Sequence, residues 1–243
     1  MSAVAALLTK DLRVVARDGM LAFLFFYPLL MAAVARFIPG WFAIDHLDIY
    51  LAPAAPLLAP PVVGMIFGFA LIEERENRTW LLLRVVPLAQ TTLLGYLVAT
   101  SSGLSLVTAV LAAWIYGLGI TDWTMFLVLA ASASLTAPLM AFVLGSTASN
   151  KIEGLVVAKL LGLLPIGAAL VFVLPPAWQI ALIWNPFYWL YLGLASVYAG
   201  ADAVAELAIS WPPYPLWAYA VVPVALCAAG VWPLASVYRR RAG

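Results

Sequence analysis

The densest group of charged residues in the chain lies at residues 73–78, which read EERENR. Thr79 and Trp80 follow, and then an apolar run that ends at Pro87. A charged edge beside an apolar body is typical of a short helix that docks into a groove of another protein. A solvated turn anchored at the membrane surface by Trp80 is the alternative that these residues leave open.

The chain has few other residues that could act in catalysis or bind a metal. His46 is the only histidine and Cys227 the only cysteine. No serine can therefore be paired with a histidine base inside an apolar segment, and no cluster has the spacing of a zinc site. The lysines follow Thr9, Asn150 and Ala158, so no Gly-rich loop ends in Gly-Lys-Ser/Thr. We predict no catalytic residue, no metal and no cofactor in this chain.

The composition indicates a membrane protein. The 243 residues are 66% hydrophobic and 9% charged, and the mean hydropathy is +1.06. A water-soluble domain carries about 25% charged residues. A polytopic membrane protein is therefore the predicted class.

Six apolar runs reach the length of roughly 20 residues that a membrane-spanning helix needs. They lie at about 20–38, 52–72, 92–118, 123–148, 156–175 and 214–236. The predicted fold is an all-α integral membrane protein, in which residues 1–243 form a single transmembrane domain. Four prolines between Pro53 and Pro61 predict that the start of the second span is bent.

The distribution of Lys and Arg predicts the orientation, because such residues favour the cytoplasmic side. With the N-terminus inside, Arg36 is the only one on the outer side. The inner residues are Lys10, Arg13, Arg17, Arg75, Arg78, Arg84, Lys151, Lys159, Arg239, Arg240 and Arg241. We therefore expect a multi-pass protein of the cytoplasmic membrane with both termini in the cytoplasm.

Residues 1–19 predict an interfacial amphipathic helix on the cytoplasmic leaflet. One helical face carries Val4, Leu8, Leu12 and Val15. The opposite face carries the lipid-anchoring residues Lys10, Arg13 and Arg17. A simple anchor and a contact surface for a cytoplasmic partner remain equal alternatives.

A further apolar stretch, 178–200, is interrupted by Asn185 and Pro186. If it crossed the membrane, the basic C-terminus would lie outside. We therefore predict that residues 176–213 form a broken, re-entrant external hairpin between spans five and six. Irregular backbone of this kind requires cover by protein or water.

The predicted spans carry hydroxyl groups but no acidic residue. All eleven acids of the chain map to loops or span ends, whereas carriers coupled to protons place such groups within the bundle. Serine and threonine at helical spacing more often pack helices together than bind ligands. Energy for transport would therefore have to come from another polypeptide on the cytoplasmic side.

The order of these segments resembles that of ABC-2 type transporter permeases, and of their drug-exporter subgroup. In that family the loop after span two commonly runs Glu-Arg-Glu-x-Gly-Thr-Leu, then apolar residues, then Thr-Pro-Leu. This chain has ERENRTW at 74–80 and VPL at 86–88, with Arg78 in place of glycine and Trp80 in place of leucine. The Asn-Pro pair before span six and the loop 150–154 also resemble the family.

The resemblance implies an exporter permease for hydrophobic or amphipathic substrates in a prokaryote. Such a permease pairs with a second copy or a paralogue. It binds separate cytoplasmic ABC ATPase subunits, which hold ATP and Mg. It contacts membrane lipids and no nucleic acid. The loop 73–91 then contains the ATPase-coupling residues Glu73, Glu74, Arg75, Glu76, Arg78, Thr79, Trp80 and Leu83. A second cytoplasmic contact comprises Asn150, Lys151 and Glu153. A membrane enzyme, a non-transporting scaffold or receptor subunit and an uncoupled carrier are the alternatives, and a haem-exporter-like permease is an alternative subtype of exporter.

Overall fold

The computed structural model describes residues 19–42, 44, 46–77, 90–117, 119–200 and 214–242. The predicted interfacial helix, with Lys10, Arg13 and Arg17, lies outside these residues. The same holds for Arg78, Thr79, Trp80 and Leu83 of the predicted coupling loop. The described secondary structure is helical, without a strand.

Eleven α-helices occur in the described part of the chain. They are α1 (Gly19–Trp41), α2 (Leu47–Leu51), α3 (Ala54–Leu57), α4 (Ala59–Glu76), α5 (Gln90–Tyr116), α6 (Trp123–Ser134), α7 (Thr136–Thr147), α8 (Lys151–Ala169), α9 (Pro176–Gln179), α10 (Pro186–Ala199) and α11 (Leu216–Ala242). Short 3-10 turns at Leu170–Phe172 and Ile180–Leu182 connect α8, α9 and α10.

Six segments of the described chain are long and apolar enough to cross a membrane, which confirms the predicted number of spans. They are Phe23–Trp41, Leu47–Glu76, Leu94–Tyr116, Trp123–Thr147, Lys151–Phe172 and Trp217–Tyr238. The second of them comprises α2, α3 and α4 in succession. The fourth comprises α6 and α7.

Prolines divide the second span, as their spacing predicted. The helix α2 ends at Leu51, and α3 runs from Ala54 to Leu57 before α4 begins with Pro60 and Pro61 in its first turn. Proline has no backbone N–H, so it is tolerated in a first turn, where that donor would have no helical partner. From Ala59 to Glu76 the span is one uninterrupted helix.

Close contact between α4 and α7 forms the centre of the bundle. A Cβ atom at Gly64 would lie 2.5 Å from the Ala137 carbonyl oxygen, and one at Gly68 would lie 2.7 Å from Leu144 Cδ2. Small residues four positions apart allow two membrane helices to approach each other closely. Spans two and four are therefore packed with no room for a side chain at these two glycines.

Replacement of Gly64 by alanine is expected to reduce stability by about 1–3 kcal/mol, because the added methyl group overpacks the contact with α7. The measurement is the thermal unfolding midpoint of the purified protein in detergent. Gly103→Ala is the matched control, since no atom lies within 4 Å of a Cβ built there. Equal midpoints for the two variants would contradict the close contact between α4 and α7.

The segment after α8 folds back into the bundle. The Asn185 side chain caps α10 by accepting a hydrogen bond from the Phe187 N–H, and its Nδ2 donates to the Leu164 carbonyl of α8, 2.8 Å away. At the other end of α10, the Thr121 N–H donates to the Val197 carbonyl at 3.2 Å. The start of α10 is therefore bound to α8, and its last turn is bound to the segment just before α6.

Burial keeps the segment that contains α9 and α10 in place. The side chains of α10 that are described are buried throughout, from Pro186 to Tyr198. Gln179 is fully buried and its Nε2 donates to the carbonyls of Val171 and Leu174, each at 3.0 Å. The Tyr191 hydroxyl donates to the Tyr50 carbonyl of α2. Protein atoms thus cover most of this irregular segment, and the re-entrant hairpin stays a prediction.

Candidate functional site

The charged residues 73–76 are helical rather than part of a loop. They form the last turn of α4, which ends where the Asn77 N–H donates to the Glu73 carbonyl at 2.9 Å. The described half of the predicted coupling segment is therefore rigidly continuous with the second span. Glu76 and Asn77 are exposed, whereas Glu73, Glu74 and Arg75 are partly buried.

The Arg75 guanidinium points towards the end of the fourth span. Its Nη1 donates to the Gly145 carbonyl at 3.3 Å, and its Nη2 donates to the Ala148 carbonyl. The last carbonyls of a helix have no partner within that helix and carry partial negative charge. Arg75 therefore caps α7 from a neighbouring helix. The sequence assigned Arg75 to a contact with a partner protein, and in the structure its side chain makes a contact within the chain.

Asn150 and Glu153 form the start of α8. The Glu153 N–H donates to Asn150 Oδ1 at 2.9 Å, and the Glu153 carboxylate accepts a hydrogen bond from the Ser149 N–H at 2.6 Å. This reciprocal arrangement is a capping box, which provides partners for two donors at the start of a helix. The spacing Asn-x-x-Glu is the local sequence signal that indicates this capping role. The partner contact at Asn150 and Glu153 stays a prediction.

Lys151 connects the two predicted cytoplasmic contacts. Its Nζ lies 3.1 Å from Glu73 Oε2, and its backbone N–H donates to Glu76 Oε1 at 3.1 Å. One turn further along α8, a Cβ at Gly154 would lie 2.9 Å from Ile72 Cδ1, so the two helices are also in close contact. The two surfaces that were predicted separately from the sequence therefore form one site.

We call this site the charged junction and define it by its described residues. They are Glu73, Glu74, Arg75, Glu76, Asn150, Lys151 and Glu153. The end of the sixth span also reaches it, because Tyr238 Cδ2 lies 3.5 Å from a Cβ built at Gly145. The ends of spans two, four, five and six thus meet at the charged junction. Gly145 and Tyr238 border it, although no sequence pattern indicated them.

Comparison with known proteins decides the class of this bundle. The family model described as fluoroquinolones export permease protein Rv2686c-like matches residues 11–234. The chain belongs to the Rv2686c-like export permease family. The match includes five complete spans, most of the sixth and both parts of the charged junction. It confirms the resemblance to drug-exporter permeases of the ABC-2 type, and the chain is a membrane-spanning transport protein. No individually curated protein matches the chain.

At the end of this Rv2686c-like permease opposite the charged junction, Arg36 repeats the role of Arg75. Its Nη1 donates to the Ile115 carbonyl at 3.2 Å, near the end of α5. The chain then turns at Gly117, which has a φ of +78° and lies against the Arg36 guanidinium. Two spans therefore end with their carbonyls bound by an arginine from another helix, one at each end of the bundle.

The interior of the permease is neutral in the part that the structure describes. The buried polar side chains there are hydroxyls and the amide of Gln179. Most hydroxyls bond to a carbonyl of their own helix, as Ser101 does with Leu97 and Thr108 with Leu104. The described residues include no group of three His, Cys, Asp or Glu side chains that could hold a metal ion.

Asn185 and Pro186 of the predicted hairpin lie away from the charged junction. Pro186 is the first residue of α10 and Asn185 is its cap. In the described structure these two residues start α10, a buried helix that is bound to α8 through Asn185. The remainder of the predicted hairpin, residues 201–213, lies outside the described residues.

Proposed function

We propose that this permease is the membrane-spanning subunit of an ATP-driven exporter, and that separately encoded cytoplasmic ATPase subunits dock at the charged junction. The ATPase subunits would hold ATP and Mg. The positive-inside rule supports a cytoplasmic location for this end of the bundle, because Arg75, Lys151 and Lys159 all lie towards it. Both chain termini are then cytoplasmic.

The observation that carries this proposal is the linkage of several spans at the charged junction. Arg75 connects span two to span four, and Lys151 connects span five to Glu73 and Glu76 of span two. A displacement of the last turn of α4 by a docked partner would therefore move three spans together. A helix bundle that is driven by a separate ATPase requires such a connection, because the motion of the closing ATPase must be transmitted to the helices.

The charges of the junction are placed unfavourably for the helices that carry them, which supports a role in binding a partner protein. Acidic residues are unfavourable at the C-terminal end of a helix and lysine is unfavourable at the N-terminal end, because of the helix dipole. Glu73, Glu74 and Glu76 occupy the last turn of α4, and Lys151 is the first residue of α8. Glu76, Lys151 and Ile152 are exposed, with 78% of Ile152 accessible. A docked protein would cover this mixed surface.

The cargo that fits this bundle is an amphipathic aromatic compound, and the family description suggests the fluoroquinolone class. An interior of apolar side chains and hydroxyls suits such a molecule. The hydroxyls of Ser102, Ser105 and Tyr198 are buried without a hydrogen-bond partner. They are the groups that a cargo could use without breaking a bond that the structure shows.

Pairing with a second permease, identical or paralogous, completes the proposed exporter. Only 11%, 22% and 22% of the residues in the first, fifth and sixth spans, respectively, are buried within the chain. Large apolar side chains on α1, including Phe26, Phe37 and Trp41, are more than half exposed. These faces are available to lipid and to a second copy.

The proposal predicts that an ATPase subunit co-purifies with the permease. The permease is expressed with the ABC ATPase encoded beside it, purified through a tag on the permease, and assayed for ATP hydrolysis and drug transport in vesicles. We expect a stable complex that hydrolyses ATP and moves a fluoroquinolone. A permease that purifies alone under these conditions, as a scaffold or receptor subunit would, overturns the proposal.

A further inference from the structure

Lys159 lies on an apolar face of α8 that no other described element covers. It is exposed, and its neighbours on the same face are Val156, Leu160 and Leu163, with exposures of 59%, 62% and 57%. The ion pair that the structure describes on this helix belongs to Lys151 and Glu73. Within the described residues, the Lys159 ammonium group has no acidic partner.

The depth of Lys159 defines what its ammonium group can reach. It follows Lys151 by eight residues, which places its Cα about 12 Å further into the bundle at 1.5 Å per residue. In a helix the Cα–Cβ bond tilts towards the N-terminus, which here is the charged junction. The long side chain can therefore extend back to the headgroup level while its methylene groups stay in the apolar layer.

We propose that Lys159 binds the phosphate of an anionic phospholipid, whose acyl chains lie along the exposed face of α8. The apolar face continues past Lys159 through Leu163, Ile166 and Leu170, all exposed. It is long enough to accompany an acyl chain into the bilayer. The lipid headgroup would lie near the start of α8, at the level of the charged junction.

A second copy of the chain is a poorer occupant for this position. The acidic side chains that the structure describes are Asp48, Glu73, Glu74, Glu76, Asp122 and Glu153, all at or near helix ends. None of them lies at the depth of Lys159 on a span. Packing α8 against the described part of another copy would therefore leave the ammonium group without an opposite charge in an apolar interface, which is costly.

Lipid binding is measured by native mass spectrometry of the purified permease during titration with phosphatidylglycerol or phosphatidylcholine. One lysine near a membrane surface contributes about 1 kcal/mol towards an anionic lipid, so Lys159 should account for about a fivefold share of the wild-type preference for phosphatidylglycerol. Lys159→Met should lower the preference about fivefold, whereas the basic residues elsewhere in the chain keep their own contribution. Lys159→Arg should retain the preference, and the thermal unfolding midpoint shows that each variant is folded.

Lys151→Met is the matched control on the same helix. We expect it to keep the preference for phosphatidylglycerol, because Lys151 is paired with Glu73. Loss of the preference in Lys151→Met but not in Lys159→Met would overturn the proposal. An unchanged preference in Lys159→Met would also overturn the proposal, and a simultaneous change in the fraction of dimer would show that a second copy occupies this face.

Discussion

Replacement of Arg75 by methionine is expected to lower the free energy of unfolding by about 2–3 kcal/mol, because it leaves two partly buried acceptors without a donor. The guanidinium donates to the carbonyls of Gly145 and Ala148, and both of those residues are buried. Methionine retains most of the side-chain volume but provides no donor. The last turn of α7 would then lose its cap and its connection to α4. The measurement is thermal unfolding in detergent, followed by loss of the monodisperse peak in size-exclusion chromatography.

Two further substitutions separate capping from simple removal of charge. Arg75→Lys keeps the charge but replaces a fork of donors with a compact ammonium group, so we expect an intermediate loss. Arg36→Met removes one hydrogen bond, at an exposed site, and should cost less than Arg75→Met. If Arg75→Met were no less stable than Arg36→Met, the capping role of Arg75 would be wrong.

Reversal of the charge on Lys151 is expected to reduce transport at least tenfold while the protein stays folded. Lys151→Glu places a third carboxylate beside those of Glu73 and Glu76, so the ends of spans two and five repel each other. The present ion pair has side-chain exposures of 49% and 37%, and exposed pairs contribute only about 0–1 kcal/mol to stability. The expected loss is therefore in coupling rather than in folding.

The exchange Glu73→Lys with Lys151→Glu is the decisive companion variant. It restores opposite charges across the same two positions, and we expect it to recover most of the transport. Each variant is reconstituted with the ATPase in inside-out vesicles, where drug movement and ATP hydrolysis are measured separately. We expect Lys151→Glu to retain hydrolysis and lose drug movement. Equal transport by Lys151→Glu and the wild type would contradict a role for this pair in coupling.

The structure also shows which replacements would be uninformative. Simultaneous replacement of Glu74, Arg75 and Glu76 by alanine tests the whole charged segment, but it removes the cap of α7 at the same time. A loss of transport in that variant would combine misfolding with uncoupling. The exposed pair of Lys151 and Glu73 avoids this problem because neither side chain caps a helix end.

The number of spans was predictable because each membrane helix satisfies its own backbone hydrogen bonds. A run of about 20 apolar residues is therefore sufficient evidence for one span, whatever surrounds it. The breaks in span two were predictable for a similar reason, since proline lacks the donor that a helix interior needs. Even the cap at Asn150 has a local signal, because the Asn-x-x-Glu pattern involves residues three positions apart.

The contacts of the charged junction were not predictable from the sequence. Arg75 lies 73 residues before Ala148 in the chain, and Lys151 lies 78 residues after Glu73. A charged residue at a helix end has the same appearance in a sequence whether it faces a partner, solvent or a neighbouring carbonyl. The two surfaces that we predicted to be cytoplasmic therefore appeared independent, and Arg75 appeared available to a partner.

The sequence by itself determined that this chain has six segments able to cross a membrane. It also determined that most charged residues lie at the ends of these segments, because the cost of burying charge in lipid acts on each residue separately. Only the tertiary structure decided that the ends of spans two, four and five are joined at one place. That arrangement depends on the close approach of α4 to α7 at Gly64 and Gly68 and of α8 to α4 at Gly154. Such packing brings distant segments to within hydrogen-bonding distance, and no local pattern records it.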